Sequence, residues 1–190
     1  CLIKADISAG DGTVFKHGTT LAINALLQRV GARAALVATK GFRDLLEMAR
    51  GNRPDPFDLF FRRHPPLVDR ELRFEVAERT SAKGEPVRAP NRDEVVALAD
   101  KLRSHKAESV AVAFLNSYAA PAHEKQVSQW LKELLPGVFV TRSTELSREW
   151  YEYERTATAA ANAYVGPQVA GYVRELDHRL RNDGFKGRFF

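Results

Sequence analysis

The segment Lys16-His17-Gly18-Thr19-Thr20 holds the residue types best suited to binding an anion. The sequence predicts a short strand that ends at His17, a turn at Gly18 and a helix over residues 21–30. Such a junction aims backbone N–H groups and the positive end of the helix dipole at one point, where anions bind. His17 could donate to a phosphate or transfer a proton, and Thr19 and Thr20 add hydroxyls. The alternative is that Thr19 only caps the helix and His17 is a hydrogen-bonded strand end.

A second candidate lies in the loop Gly51-Asn52-Arg53-Pro54-Asp55. A guanidinium between Asn and Pro on a constrained loop can clamp a phosphate or a carboxylate in a fixed geometry. Arg53 could equally pair with Asp55 or Asp58 and serve only to hold the loop. The residues alone leave both interpretations open.

Two further groups favour a structural role. Asn116-Ser117-Tyr118, followed by His123, comes after a predicted buried strand, where open α/β sheets usually bind ligands, but a capped turn is the simpler interpretation. In Glu145–Arg155, a solvated face with aromatic packing is favoured over a buried Glu154–Arg155 pair. The five histidines and one cysteine show no metal-ligand spacing, so we expect no protein-bound metal. The absence of a G-x-S-x-G motif gives serine-hydrolase chemistry no support.

The elements that must position these residues alternate between strand and helix. Apolar runs over residues 33–39, 108–115 and 138–141 predict strands, the first two typical of a parallel sheet that is buried on both faces. Helices are predicted over residues 42–50, from Asn91 for about four turns, and over residues 122–135. This order predicts an α/β fold with a mainly parallel sheet, flanking helices and right-handed crossovers.

The middle and the end of the chain depart from this rhythm. Four prolines in residues 51–69 predict a long loop, and period-two alternation over residues 71–78 predicts a half-exposed antiparallel strand with Leu72, Phe74 and Val76 inward. Residues 81–85 then turn the chain into a hairpin. Residues 149–182 predict one or two helices broken near Gly166-Pro167, and residues 187–190 resemble the beginning of a strand.

Composition excludes several classes of protein. The 190 residues are 44% hydrophobic and carry 29 Lys and Arg against 24 Asp and Glu, as in ordinary folded domains. The basic residues are interleaved with acids, which disfavours a nucleic-acid partner. No apolar run approaches the roughly 18 residues needed to cross a bilayer, so no membrane partner is expected. The single cysteine, Cys1, favours a reducing, cytoplasmic location.

Four stretches together resemble the N-terminal region of the hydantoinase A/5-oxoprolinase family. They are HGTTLAINALLQRVGARAALVATKGFRDLLEMARGNRPDPFDLFFRR, RFEVAERTSAKGEPV, VAVAFLNSYAAPAHE and YEYERTATAAANAYVGPQV, in chain order. The resemblance implies one α/β domain over residues 1–190, with residues 51–90 as a loop and hairpin insertion. It further implies part of an ATPase lobe of the actin/sugar-kinase type.

The resemblance also suggests site residues. His17, Gly18, Thr19 and Thr20 match the HGTT of the family, Asn24 its helix asparagine, Asn52-Arg53-Pro54 its N-R-P loop and Tyr153-Glu154-Arg155 its E-Y-E-R stretch. We therefore predict His17 and Arg53 as catalytic residues. We predict Gly18, Thr19, Thr20 and Asn24 as cofactor-binding residues. Where the family usually has threonine and histidine, this chain has Ile23 and Asn116.

The activity implied is that of an ATP-dependent cyclic-amide hydrolase of the N-methylhydantoinase or 5-oxoprolinase type, with ATP and Mg²⁺ as cofactors and a hydantoin or 5-oxoproline as substrate. A ketone carboxylase subunit of the acetone or acetophenone type is the alternative within the family. A non-catalytic module that binds another subunit is the alternative outside catalysis. The resemblance implies a partner of the hydantoinase B type, and homo-oligomers are compatible with it. Because the family carries an acidic phosphate loop before this region and a second lobe after it, we expect an N-terminal fragment that is inactive alone.

Overall fold

The computed structural model describes residues 8–190; Cys1 lies outside the described residues. In chain order the strands are β1 (Val14–Phe15), β2 (Ala34–Thr39), β3 (Arg73–Val76), β4 (Arg79–Thr80), β5 (Pro86–Arg88), β6 (Ser109–Ala113), β7 (Phe139–Arg142) and β8 (Arg188–Phe189). The α-helices are α1 (Leu21–Gln28), α2 (Leu45–Met48), α3 (Arg92–Ser104), α4 (Ala122–Leu134), α5 (Ser143–Leu146) and α6 (Glu152–Asn182). Short 3₁₀ turns cover Ala9–Asp11 and Arg70–Leu72.

A four-stranded parallel sheet forms the centre of the molecule. Its strand order is β3-β2-β6-β7, and every pairing is parallel. Each residue of β2 and β6 is buried, as their continuous apolar sequences predict. The helix α6 packs against β2, β6 and β7, while α3 and α4 pack on each other. The predicted α/β fold with a mainly parallel sheet and flanking helices is confirmed.

The strand after the proline-rich loop corrects one prediction. β3 pairs with β2 in parallel and not antiparallel, with Val37 opposite Phe74 and Thr39 opposite Val76. Its burial also departs from the predicted alternation, because Arg73 and Val76 are buried while Phe74 and Glu75 are only half-buried. The predicted hairpin is confirmed by the antiparallel pairing of β4 with β5.

Helix boundaries differ from the predictions in three places. The first helix ends at Gln28, where Arg29 and not Gly31 adopts the left-handed cap conformation. Of the helix predicted over residues 42–50, the structure forms only the four residues of α2. The predicted break at Gly166-Pro167 is wrong, because α6 is continuous and contains Pro167. Gly166 is needed there, since a Cβ atom would lie 2.5 Å from the ring of Phe139.

The two ends of the described chain meet beside the predicted anion site. β1 and β8 form a parallel pair, and the N–H of His17 donates to the carbonyl of Phe190 over 2.9 Å. Phe15 packs against Phe185 and Phe189, with ring centroids 6.2 and 5.8 Å apart. The last residues therefore fix the strand that leads into His17. Within residues 8–190, no helix combines the length and apolar character needed to cross a bilayer.

Candidate functional site

The turn between β1 and α1 holds most of the predicted site residues. His17, Gly18, Thr19, Thr20 and Asn24 are all exposed. The Thr19 hydroxyl oxygen accepts the N–H of Leu21 over 3.2 Å, and the Thr20 hydroxyl oxygen accepts the Asn24 amide over 3.2 Å. Both hydroxyls act as acceptors in these bonds, so each keeps its own hydrogen to donate elsewhere. Five of the six predicted site residues thus lie within one exposed corner.

The imidazole of His17 is held by a partner distant in sequence. Its Nε2 lies 2.7 Å from the hydroxyl of Tyr172 on α6, and the two ring centroids are 5.6 Å apart. The ring also stacks on Phe15 at a centroid distance of 6.5 Å. These contacts orient His17 from one side. They leave the other ring nitrogen, Nδ1, to donate or accept a further hydrogen bond. Tyr172 was not among the predicted site residues, because nothing in the sequence relates position 172 to position 17.

The backbone of this corner is open to an approaching group. A Cβ atom built on Gly18 meets no atom within 4 Å. Residues 17–20 are all exposed, so the corner is an open surface. It can present N–H groups, two hydroxyls and an imidazole to an anion from one side only.

Arg53 lies apart from this corner, on the exposed loop that follows α2. No hydrogen bond or ion pair joins Arg53 to residues 17–24 in the described part of the chain. Nor does Arg53 pair with Asp55 or Asp58, whose carboxylates accept the N–H groups of Phe57 and Phe60, each over 2.9 Å. Arg53 instead lines a cavity of about 610 Å³.

A buried ionic cluster occupies the carboxyl edge of the parallel sheet. The carboxylate of Glu124, on α4, accepts the N–H of Phe114 over 2.9 Å and the hydroxyls of Ser117 and Ser143 over 2.7 and 2.5 Å. Its second oxygen accepts the N–H and hydroxyl of Thr144 over 3.0 and 2.8 Å. The cluster therefore joins the segments that follow β6 and β7.

Arg155 completes this cluster from α6, with a side chain that is 0% exposed. Its guanidinium lies 3.2 Å from Glu124, donates to the Phe114 carbonyl over 2.8 Å, and pairs with Glu152 and the hydroxyl of Ser117. The prediction of a solvated face here is wrong at Arg155, whose partners are Glu124 and Glu152. Glu154 pairs with Arg50 instead.

The spacing of the alanines in α6 could have indicated this burial. Ala159 and Ala163 follow Arg155 at four-residue intervals, and both are 0% exposed. A charged residue on such a stripe faces the core and needs buried partners of opposite charge. The sequence contains this signal, although it does not show that Glu124 is the partner.

A second buried network of hydrogen bonds lies at the same edge of the sheet. The Thr39 hydroxyl oxygen accepts the N–H of Leu115 over 2.9 Å and donates to Glu78. The other oxygen of Glu78 lies 2.7 Å from Nδ1 of His123. Asn116 has a left-handed φ of 57°, and its amide donates to the Thr80 carbonyl over 2.9 Å. The polar residues after β6 thus bind one another and the backbone.

Burial raises the pKa of the Glu152 carboxyl above its ordinary value, although the positive charge of Arg155 and the N–H of Asn116 both lower it. The nearby carboxylate of Glu124 adds to the upward shift.

Within residues 8–190, no group of three or more His, Cys, Asp or Glu side chains is placed to hold a metal ion.

Comparison with known proteins agrees with the resemblance. Residues 3–135 match the family model described as the hydantoinase/oxoprolinase N-terminal region. The chain is 39% identical to an uncharacterized protein of Methanocaldococcus jannaschii, over 92% of this chain and 26% of the relative. It is 31% identical to caprolactamase subunit alpha of Pseudomonas jessenii (85% of this chain, 23% of the relative) and 30% identical to the acetophenone carboxylase gamma subunit of Aromatoleum aromaticum (93% and 26%).

A solved structure extends this agreement to the fold. The crystal structure of the ATP-dependent caprolactamase from Pseudomonas jessenii superposes on 95% of this chain and 26% of its own, with a TM-score of 0.86 and 29% identity. The chain spans about a quarter of the length of the three curated relatives named above.

Proposed function

Because the chain belongs to the hydantoinase/oxoprolinase family, we propose that it forms the N-terminal part of an ATP-dependent enzyme that hydrolyses cyclic amides. The observation that carries the proposal is the likeness to ATP-dependent caprolactamase over nearly the whole chain. In this proposal the parallel sheet and its helices are part of an ATPase lobe of the actin/sugar-kinase type. The activity then belongs to a longer protein, since the relatives are about four times the length of this chain.

The exposed corner suits the phosphates of ATP. We assign Gly18, Thr19, Thr20 and Asn24 to nucleotide binding, with the two hydroxyls donating to phosphate oxygens and Gly18 leaving the backbone open. Asn24 orients the Thr20 hydroxyl from the next turn of α1. Bound ATP would supply the phosphoryl group that activates an amide carbonyl. Residues 17–24 contain no carboxylate, so they do not by themselves fit Mg²⁺, and we derive no step through the metal.

His17 and Arg53 are the proposed catalytic residues. His17 is oriented by Tyr172 and can donate a hydrogen bond or transfer a proton at the edge of the corner. Arg53 can receive an oxyanion with its planar guanidinium. Each role is assigned on the chemistry of the side chain and on its exposure.

The second candidate function is a ketone carboxylase, favoured by 30% identity to the acetophenone carboxylase gamma subunit. Both this relative and caprolactamase subunit alpha are named as subunits. We therefore also propose a second, hydantoinase B-type chain as partner. A non-catalytic interaction module is the third candidate, and absence of ATP hydrolysis with every substrate would favour it.

The proposal is tested on the complete polypeptide that carries this chain, by ATP hydrolysis with 5-oxoproline, hydantoin, caprolactam or acetone plus bicarbonate. Stimulation by a cyclic amide supports the hydrolase, whereas stimulation by acetone with bicarbonate supports the carboxylase. In the hydrolase, His17→Ala should lower stimulated turnover roughly 100-fold and Thr19→Ala roughly tenfold.

The matched control is His178→Ala, which removes an exposed histidine from the far part of α6 and should leave turnover unchanged. Equal turnover in His17→Ala, Thr19→Ala and the control would remove the corner from the mechanism.

A further inference from the structure

The cavity beside Arg53 has the size of a small-molecule site. It lies between the loop that follows α2 and the segment that leads into β3, and its volume is about 610 Å³. Known ligand cavities span about 300–1,000 Å³. Apolar walls are supplied by Phe61, Pro65, Pro66 and Val68. The cavity can therefore cover the apolar body of an organic ligand.

Five arginines line this cavity, against the carboxylates of Glu47 and Asp69. Three of the five have partners within the protein. Arg70 donates to both oxygens of Asp44 over 3.0 and 3.1 Å, and Arg73 pairs with Glu47 over 2.9 Å. Arg63 donates to the Asn52 carbonyl. These three are held in place and form part of the wall.

The other two, Arg53 and Arg62, have no side-chain hydrogen bond or ion pair within residues 8–190. Both are exposed and line the same concavity. Like charges in one concavity repel each other, and an anion between them removes that repulsion. A guanidinium also matches the geometry of carboxylate and phosphate oxygens.

Part of the cavity wall is held by hydrogen bonds before any ligand arrives. Arg29 donates to the carbonyls of Pro65 and Pro66 over 2.7 and 3.2 Å, which ties the loop to the end of α1. Asp55 and Asp58 each hold the N–H of the residue two positions later, which shapes the outer part of the loop. A preorganised wall loses little conformational freedom on binding.

We propose that this cavity binds an organic anion, with Arg53 and Arg62 receiving its phosphate or carboxylate group and the apolar wall covering its body. The inference deepens the role given to Arg53 in the proposed function and depends on that proposal for this residue alone. It names the ligand class and adds Arg62 as a binding residue. Binding here needs no ATP.

The test is isothermal titration calorimetry at low ionic strength, without ATP, on the complete polypeptide that carries this chain. The probes are phenyl phosphate, benzoate and inorganic phosphate. We expect phenyl phosphate or benzoate to bind at least tenfold more tightly than inorganic phosphate, and the tighter of the two identifies the charged group. Arg53→Gln and Arg62→Gln should each weaken that binding about tenfold.

The matched control is Arg88→Gln, which removes the same charge from an exposed position on the hairpin, outside the cavity lining. It should leave the affinity unchanged. Binding of none of the three probes, equal weakening by all three variants, or inorganic phosphate binding as tightly as the organic anions would each overturn the inference. ATP hydrolysis is measured separately, so loss of this site and loss of the proposed enzyme activity are told apart.

Discussion

The ionic cluster around Glu124 and Arg155 and the exposed corner at residues 17–20 both consist of polar groups. They differ in how far those groups have hydrogen-bond partners within the protein. In the cluster, both carboxylate oxygens of Glu124 accept hydrogen bonds, from the segment after β6, from α5 and from α6. In the corner, the two threonine hydroxyls keep hydrogens to donate, and Gly18 leaves open space beside the backbone. The carboxylate of Glu124 is thus fully occupied from within the protein, although Nε of Arg155 is buried without a hydrogen-bond partner, whereas the hydroxyls of the corner keep donor capacity.

This difference separates structural polar residues from the polar residues of the proposed site. A buried charge must be paired, and its partners then have no capacity left for a ligand. An exposed polar group is satisfied by water and can exchange that water for a ligand. Changes in the cluster should therefore act on stability, and changes in the corner on activity.

The largest effect is expected for Arg155→Met, which leaves Glu124 buried without its positive partner. Removal of one member of a buried pair costs about 3–5 kcal/mol of unfolding free energy. The measurement is urea unfolding followed by circular dichroism. Arg179→Met, which removes an exposed pair with Glu175, is the control and should change stability by no more than about 0.5 kcal/mol. Equal shifts in the two variants would show that the cluster does not stabilise the fold.

A smaller effect is expected from the titration of Glu152. Its pKa is raised in the folded state, so its protonated form favours folding below the ordinary glutamate pKa, and this contribution is lost as the pH rises through the raised pKa. The stability of the wild type relative to Glu152→Gln should therefore fall as the pH rises from about 4, the ordinary glutamate range. Urea unfolding of both proteins across this range measures the difference. A difference that grows with pH would contradict the direction of the shift.

The smallest effect on stability is expected at the corner. His17→Ala and Thr19→Ala change exposed side chains, so each should alter the unfolding free energy by no more than about 0.5 kcal/mol. Their thermal and urea transitions should overlay those of the wild type. A loss comparable to that of Arg155→Met would make the corner a structural element and remove the contrast between the two regions.

The sequence predicted the buried strands well, because a short continuous apolar run is compatible with few structures other than a buried strand. It failed at β3, since a period of two residues shows that one face is buried and carries no information on the direction of the neighbouring strand. It also failed at Pro167, where the packing of α6 on the sheet outweighs the local preference of proline to end a helix. Local rules are weakest where long-range packing decides.

In the candidate site too, local features could be predicted from the sequence and long-range contacts could not. The HGTT segment follows a strand and precedes a helix, so its exposure at a turn could be predicted locally. The contact of His17 with Tyr172 and the pairing of Arg155 with Glu124 could not, because each joins residues far apart in the chain. The catalytic role of His17 and Arg53 stays a prediction.

The parallel pair of β1 and β8 joins residues roughly 170 positions apart. Closing so long a loop is entropically costly, and contacts of such high sequence separation form late in folding. We therefore expect the strand that leads into His17 to become ordered after the central sheet and α6. The proposed nucleotide binding at this corner should therefore recover last in refolding, after secondary structure measured by circular dichroism.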